Sequence, residues 1–411
     1  MHFAELLNQW KENTVALAQA WRWYGPNDTV SLQDIEQAGA PNIVHALHHI
    51  PVGEVWTPEE ITKRKAFIEN ANPALRWSVV ESVNVHEAIR QGRSDRDAYI
   101  AKYIESIKNV GAAGIEVVCY NFMPLLDWTR TTLDYKLPNS ALALRFDATA
   151  FAAFDLYLLE REGAEAEYPE ELKKRAKAFI DAAKKEDIDT LNNNILQGLP
   201  GTGEVMTMAY FKELLTDYAH ISKEKFRDNL AYFLQAVVPE AEKAGVRLCC
   251  HPDDPAFPLF GIPRVASTEE DLTFLVNTID SPSNGITYCT GSLSSNPSND
   301  LPGIVQRLGS KINFIHLRSV QREEDGSFYE ADHLKGSVDM PAVMKELVLE
   351  GRRREAEGRA DFEIPLRPDH GHQILDDLDK AVLFHGYSAI GRLKGLAELR
   401  GLELGISRTL N

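Results

Sequence analysis

Four short segments in the C-terminal half of the chain end in side chains that bind metals. In three of them a β-rich run leads directly to a histidine or a cysteine, and in the fourth a short apolar run and Arg-Pro precede an aspartate. The four side chains are His251, Cys289, His316 and Asp369. One cysteine, two histidines and one aspartate match the ligand set of a single divalent metal. The segments therefore predict one metal site, provided that their strands end at the same place.

The ligand types restrict the metal without deciding it. A thiolate favours zinc or iron and a carboxylate favours magnesium or manganese, so the mixed set leaves Fe2+, Mn2+ and Zn2+ open. Four protein ligands close a tetrahedral zinc site, whereas a catalytic metal needs a further position for substrate, which favours Mn2+ or Fe2+. Each residue also has a structural alternative. Cys289, for example, could be a small buried apolar side chain.

The chain alternates β-rich runs with helix-like segments. We predict eight strands, at residues 21–24, 43–48, 77–81, 115–121, 246–251, 286–290, 312–317 and 364–367. Helix-like segments lie at 31–39, 57–70, 95–110, 223–244, 268–278, 301–308 and 340–358. Such alternation predicts a parallel sheet, and eight units predict an α/β fold of the (β/α)8 TIM-barrel type, with catalytic side chains at the carboxyl ends of the strands.

Two regions depart from this alternation. Residues 125 to about 230 are too many for one strand–helix unit and are predicted to form a mostly helical insertion on the catalytic face. Residues 1–20 are predicted to be an N-terminal extension, because apolar side chains at positions 3, 6, 7 and 10 suit a short amphipathic helix. Residues 21–411 then form a single catalytic domain.

Composition limits the kinds of partner. The 411 residues include 44 Lys and Arg against 61 Asp and Glu, which gives a net charge of -17. Such an acidic chain disfavours nucleic acid and anionic membranes as partners, and an anionic substrate would need a local cationic pocket. Four cysteines do not make a disulfide framework, and neither a signal peptide nor a membrane span is recognised, so we expect a reducing, cytoplasmic location.

Longer motifs surround these residues and carry a resemblance. They are WRWYGPND (21–28), ALHHIP (46–51), GEVW (53–56), WSVVES (77–82), VCYNFMP (118–124), LDWTRT (126–131), HPDDP (251–255), CTGS (289–292), HLRS (316–319), RPDHGH (367–372) and GYSAIGRLKGLAELRG (386–401). In type and order they resemble the D-mannonate dehydratases of hexuronate catabolism, within the xylose-isomerase-like barrel superfamily. The resemblance runs from residue 21 to about residue 410.

The resemblance implies dehydration of D-mannonate to 2-dehydro-3-deoxy-D-gluconate by a homodimer with Mn2+ or Fe2+. It implies the same four metal ligands and two catalytic residues, His370 and Tyr387. The reaction needs a base for the C2 proton and an acid for the departing C3 hydroxyl. We predict Tyr387 as base, which requires a nearby cation to lower its pKa, and His370 as acid; the reverse assignment is also chemically sound.

Several further residues are candidates for substrate binding. Arg318, two residues after His316, is the first candidate for the substrate carboxylate, because arginine can bind it through two hydrogen bonds. Arg22 and Arg367 are the alternatives. Hydroxyl groups of the substrate would be bound by His49, His86 and Asn121. The last three could equally serve the fold, and Arg22 and Arg367 could instead form structural ion pairs.

Two other functions compete with the dehydratase. A metal-dependent sugar isomerase of the same superfamily is disfavoured, because such enzymes use carboxylate-rich sites with two metals. A non-catalytic sugar-acid binding protein on a barrel scaffold is disfavoured by the presence of both His370 and Tyr387.

Overall fold

A computed structural model of the chain describes residues 17–197, 206–381 and 384–410. Within them, eight parallel strands close into a barrel. Numbered along the chain, the barrel strands are β1 (Leu17–Arg22), β2 (Asn42–His45), β3 (Arg76–Glu81), β4 (Val117–Asn121), β7 (Arg247–His251), β8 (Asn284–Cys289), β9 (Ile312–Leu317) and β12 (Ile364–Pro368). Their order around the barrel is β1-β12-β9-β8-β7-β4-β3-β2. The predicted TIM barrel is confirmed.

Helices surround the barrel and cover its strands. They are α1 (Leu32–Gln37), α2 (Pro58–Ala71), α3 (Glu87–Gln91), α4 (Arg96–Ala112), α5 (Ala148–Ala153), α6 (Glu170–Ala182), α7 (Lys185–Leu196), α8 (Met208–Tyr218), α9 (Lys223–Lys243), α10 (Glu269–Thr278), α11 (Thr290–Ser294), α12 (Leu301–Leu308), α13 (Met340–Ala356) and α14 (Ala389–Thr409). Local signals fix several starts: Thr268 and Asp271 form a reciprocal capping box before α10, and the Thr57 side chain caps α2.

The insertion between β4 and β7 contains an element that the sequence analysis missed. Besides helices α5–α8, it begins with a hairpin, β5 (Thr132–Lys136) and β6 (Leu142–Phe146). This hairpin joins β10 (Ser319–Arg322) and β11 (Phe328–Ala331) in a four-stranded antiparallel sheet. The insertion also ends earlier than residue 230, because α9 begins at Lys223 and packs on the barrel.

The barrel domain begins earlier than the predicted residue 21. Strand β1 begins at Leu17 and pairs with β2 and β12, so residues 17–20 belong to the barrel and not to the predicted extension of residues 1–20. The rest of that extension, with its amphipathic pattern, lies outside the described residues. No helix in the described part of the chain is long and apolar enough to cross a membrane.

Side chains of alternate strand residues fill the barrel interior. Ala20, Val44, Val79, Val117, Cys119, Cys249 and Phe314 form one buried cluster there. Small and β-branched side chains suit a closed barrel of eight strands, where space near the axis is limited. Polar side chains occur instead at the carboxyl ends of the strands, among them Arg22, Glu81, Asn121, His251 and Cys289.

Candidate active site

Three of the four predicted metal ligands form a compact cluster. His251, Cys289 and His316 lie at the carboxyl ends of β7, β8 and β9, which are neighbours in the barrel. Their ligand atoms all lie within 4.8 Å of one another, and Nε2 of His251 is 3.1 Å from Nδ1 of His316. Cys289 and His316 are paired directly across β8 and β9. Strands β7 and β9, on either side of β8, thus bring together two histidines that are 65 positions apart in sequence.

The polar atoms of this cluster fit a divalent cation. Nδ1 of His251 lies 2.7 Å from the Pro252 carbonyl oxygen, so it donates its proton there and Nε2 carries a lone pair that faces Nδ1 of His316. Nε2 of His316 is buried and makes no hydrogen bond among the described residues, although a Glu81 carboxylate oxygen lies 3.5 Å from it. Two imidazoles with a thiol suit zinc or iron, and a carboxylate ligand beside them would also admit manganese.

Asp369 lies beside the cluster, directly after β12. Its Oδ2 is 3.5 Å from the Cys289 sulfur and accepts a 2.6 Å hydrogen bond from Arg318 Nε, while Oδ1 accepts a 2.5 Å bond from Arg367 Nη1. Burial alone would raise the pKa of Asp369, but Arg367, followed by His370 and Arg318, holds it well below its usual range. The carboxylate is therefore ionised and held against the thiol.

Glu81 is a neighbour of the cluster that the sequence analysis did not choose. It accepts hydrogen bonds of 2.8 and 3.1 Å from Arg367 and lies 3.5 Å from Nε2 of His316. Burial favours its protonated form, yet Arg367 and then His316 hold the pKa of Glu81 well below the usual value. Glu81 is the last residue of strand β3 and lies in the WSVVES motif. Nothing in the sequence, however, connects it with His316.

Arg318 is not available to a substrate carboxylate in this arrangement. It is 1% exposed, and its donors go to three acids: Nε to Asp369, Nη1 to Glu330 at 2.6 Å and Nη2 to Asp254 at 2.5 Å. Gly291 makes this placement possible, since a Cβ there would lie 2.4 Å from Cγ of Arg318. The predicted role of Arg318 in carboxylate binding is not supported; its contacts are those of a residue that holds the site together.

His370 and Tyr387 lie together beside Asp369. Their rings are 5.0 Å apart and nearly perpendicular, and the Gly371 N–H donates to the Gly386 carbonyl, which joins the two segments. Nδ1 of His370 is 3.0 Å from a Glu330 carboxylate oxygen. Burial raises the pKa of Tyr387, and Arg367 opposes that shift only in part.

The remaining predicted substrate-binding residues fall into two groups, one at the carboxyl ends of barrel strands and one away from the metal cluster. Asn121 is paired with His251 across β4 and β7, and Arg22 is buried at the end of β1, where it donates to His48 at 3.1 Å. His49, in contrast, is half exposed and hydrogen-bonded to Glu60. His86 caps α3 and its ring stacks on Tyr99, 3.6 Å away. Neither His49 nor His86 contacts the metal cluster within the described residues.

Arg22 has surroundings that differ from those of the other buried arginines of the site. Within the described residues no carboxylate lies within ion-pair distance of it, although it is 1% exposed. Its partner His48 is neutral, because burial and then Arg22 itself lower the pKa of His48 to about 3. Adjacent histidines thus differ: His48 faces Arg22, while His49 points to the surface.

A group of buried charged residues next to Arg318 was not identified from the sequence. Arg130, from the insertion, pairs with Asp254 at 2.8 Å and with Glu330 at 3.0 Å. Asp254 was visible in the HPDDP motif, where it suited a turn or helix cap equally well. Glu330 had no signal, since it lies on β11 of the undetected sheet.

Comparison with known proteins now decides between the dehydratase, the isomerase and the binding protein. A family model described as D-mannonate dehydratase (UxuA) matches residues 17–411. The chain belongs to this family. It is 54% identical over 395 residues to the mannonate dehydratase of Marinomonas sp., which covers 96% of this chain and 100% of that protein. Family membership makes the protein a hydro-lyase and confirms the dehydratase prediction over both alternatives.

Solved structures agree with this assignment. The crystal structure of mannonate dehydratase from Streptococcus suis matches with a TM-score of 0.74 and 35% identity, covering 96% of this chain and 95% of that one. A xylose isomerase-like TIM barrel protein from Mycobacterium smegmatis matches with a TM-score of 0.50 and 11% identity, over 96% and 99% of the two chains. The second likeness concerns the barrel fold alone.

Proposed function

We propose that this protein removes water from D-mannonate to give 2-dehydro-3-deoxy-D-gluconate, at the site formed by the metal cluster and the His370–Tyr387 pair. The observation that carries the proposal is their adjacency: Asp369 touches Cys289 on one side and is followed directly by His370 on the other. A binding protein would not need a proton-transfer pair at this place.

We propose Mn2+ or Fe2+ as the metal, bound by His251, Cys289, His316 and Asp369. The three clustered ligands support the site, and the ionised carboxylate of Asp369 beside Cys289 supports a fourth ligand. The metal would supply positive charge to the negative charge that develops as C2 loses its proton.

For proton transfer, we propose the reverse of the assignment predicted from sequence. Tyr387 as base required a lowered pKa, whereas burial raises it, so its phenol keeps its proton and suits the acid that protonates the C3 hydroxyl. His370 donates through Nδ1 to Glu330, which leaves Nε2 free to take the C2 proton.

We propose Arg22, in place of Arg318, as the group that binds the substrate carboxylate. Its guanidinium is buried, it has no acidic partner among the described residues, and it lies over the ring of Tyr24, whose edge packs on Tyr387. Arg367 and Arg392 also lie near Tyr387, at 5.9 and 5.3 Å from its ring centre. Arg367 is already paired with Glu81 and Asp369, so Arg22 and Arg392 are the buried guanidinium groups near Tyr387 that would supply positive charge to an anionic substrate.

A cytoplasmic homodimer is part of the same proposal. The four cysteines are free and buried, which suits a reducing compartment. Light scattering of the purified protein tests the dimer: a mass of one 46.0 kDa chain would contradict it.

The deciding experiment is product formation from D-mannonate. Protein reconstituted with Mn2+ or Fe2+ under anaerobic, reducing conditions should give a 2-keto-3-deoxy acid, and D-gluconate, the C2 epimer, serves as the control substrate. A ketose product from a neutral sugar would favour the isomerase. Absence of any product from D-mannonate with both metals would refute the proposed function.

A further inference from the structure

Glu330 occupies an unusual position for a residue of a TIM-barrel site. It lies on β11, which is not a barrel strand, and is 3% exposed. Its Oε1 is within hydrogen-bond distance of three donors: Nη1 of Arg318 at 2.6 Å, Nη2 of Arg130 at 3.0 Å and Nδ1 of His370 at 3.0 Å. A buried acid thus connects the insertion, the barrel and the catalytic histidine.

The charge state of Glu330 follows from these neighbours. Two guanidinium groups, of Arg318 at 2.6 Å and Arg130 at 3.0 Å, donate hydrogen bonds to Oε1, and their positive charges favour the ionised carboxylate. An ionised carboxylate can only accept hydrogen bonds. The 3.0 Å contact therefore requires a proton on Nδ1 of His370, and Nε2 is the nitrogen left for exchange with a substrate.

We infer that Glu330 is a positioning residue for His370: it fixes the ring orientation and places the exchangeable lone pair or proton on Nε2. The inference rests on the proposed role of His370 in proton transfer. A carboxylate that holds an imidazole in one tautomer is effective because the wrong tautomer presents a proton where a lone pair is needed.

The antiparallel sheet gives Glu330 its fixed place. Strand β11 pairs with β6 through Phe328 opposite Phe146 and Tyr329 opposite Arg145, and with β10 on its other edge. Phe328 and Phe146 also stack, with ring centres 5.4 Å apart. The hairpin of the insertion thereby supports the strand that carries Glu330, which assigns to the insertion a part in positioning the catalytic histidine.

Asp254 offers a matched control within the same charge cluster. It accepts from Arg130 and Arg318, as Glu330 does, and is equally buried, but it makes no hydrogen bond with His370. The variants Glu330→Gln and Asp254→Asn therefore remove one negative charge from the same two arginines. Only Glu330→Gln alters the partner of His370.

The experiment compares kcat, KM and bound metal for the two variants, using the metal-reconstituted full chain and D-mannonate. We expect Glu330→Gln to lower kcat about 10- to 100-fold, as for other residues that orient a reacting group, with KM within about threefold and metal content unchanged. Asp254→Asn should lower kcat several-fold less. Equal losses in both variants, or a loss explained by missing metal, would overturn the inference.

Two further variants keep the test decisive. Glu330→Asp retains the charge for both arginines but withdraws the carboxylate by one methylene, so it should fold even where the Gln variant does not, and should show the same selective loss of kcat. A Glu330→Asp variant with wild-type kcat would also overturn the inference. His370→Asn separates the two proposals: an active His370→Asn variant refutes the role of His370 itself, whereas an inactive one beside a fully active Glu330→Gln refutes only the role of Glu330.

Discussion

Nε of Arg318 donates a 2.6 Å hydrogen bond to Oδ2 of Asp369, the same oxygen that lies 3.5 Å from the Cys289 sulfur. One guanidinium nitrogen thus holds a carboxylate oxygen against a thiol. The other donors of Arg318 are fixed by Asp254 and Glu330, so the group cannot rotate away without breaking buried ion pairs. Arg318 therefore fixes the position of the Asp369 carboxylate beside Cys289.

We predict that Arg318→Lys weakens metal binding about 10- to 100-fold, since a lysine ammonium cannot reproduce three donors in a fixed plane. Metal content after dialysis against graded chelator measures the effect. Arg307→Lys is the control, because Arg307 is half exposed and pairs with Glu269 and Asp300 on the surface. If Arg318→Lys binds metal normally and only KM rises, the sequence-based role in substrate binding is restored.

We predict that Cys289→Ala loses metal and activity together, because the variant removes the thiolate from the cluster with His251 and His316. Cys250→Ala is the matched control: this thiol is also buried, but it is not part of the cluster. Metal analysis and activity are measured on both. Full metal occupancy in Cys289→Ala would exclude Cys289 from the ligand set.

The convergence of His251, Cys289 and His316 could be predicted because it follows from the barrel geometry. Once parallel strands end at His251, Cys289 and His316, their carboxyl ends must meet at one face. The role of Arg318 could not be predicted in this way. An arginine two residues after a ligand suits a substrate or an ion pair equally well, and its partners Asp254 and Glu330 come from distant parts of the chain.

The proton-transfer role of Tyr387 and the pairing of the inserted antiparallel sheet could not be predicted from the sequence either, for two different reasons. The direction of the pKa shift of Tyr387 depends on how deeply the ring is buried, which no motif records. The hairpin of β5 and β6 did leave a signal, since Pro138-Asn139-Ser140 separates two short runs with alternating apolar residues. Its pairing with β11, 182 positions away at Phe146 and Phe328, is a long-range contact that local patterns do not reveal.

We predict that Arg22→Gln raises KM for D-mannonate about 10- to 100-fold, with a smaller change in kcat. The loss of a hydrogen-bonded charge partner costs about 1.5–3 kcal/mol, which corresponds to this range. Steady-state kinetics measure it. Arg76→Gln is the control, since Arg76 is an exposed arginine at the opposite end of the barrel. An unchanged KM in Arg22→Gln would assign the carboxylate to another residue.

We predict that Glu403→Gln stabilises the protein at alkaline pH and not at acid pH. Burial raises the pKa of Glu403, in α14, from 4.5 to about 7. The folded state therefore binds a proton that the unfolded state has lost, and this contribution to stability is lost as pH rises from 4.5 through 7. Glutamine needs no proton, so at pH 8 the variant should be more stable by up to about 3 kcal/mol, and at pH 4.5 nearly equal to wild type.

Urea unfolding at both pH values measures the difference, with Glu355→Gln on the exposed side of α13 as control. A stability difference that is the same at pH 4.5 and pH 8 would show that folding does not raise the pKa of Glu403.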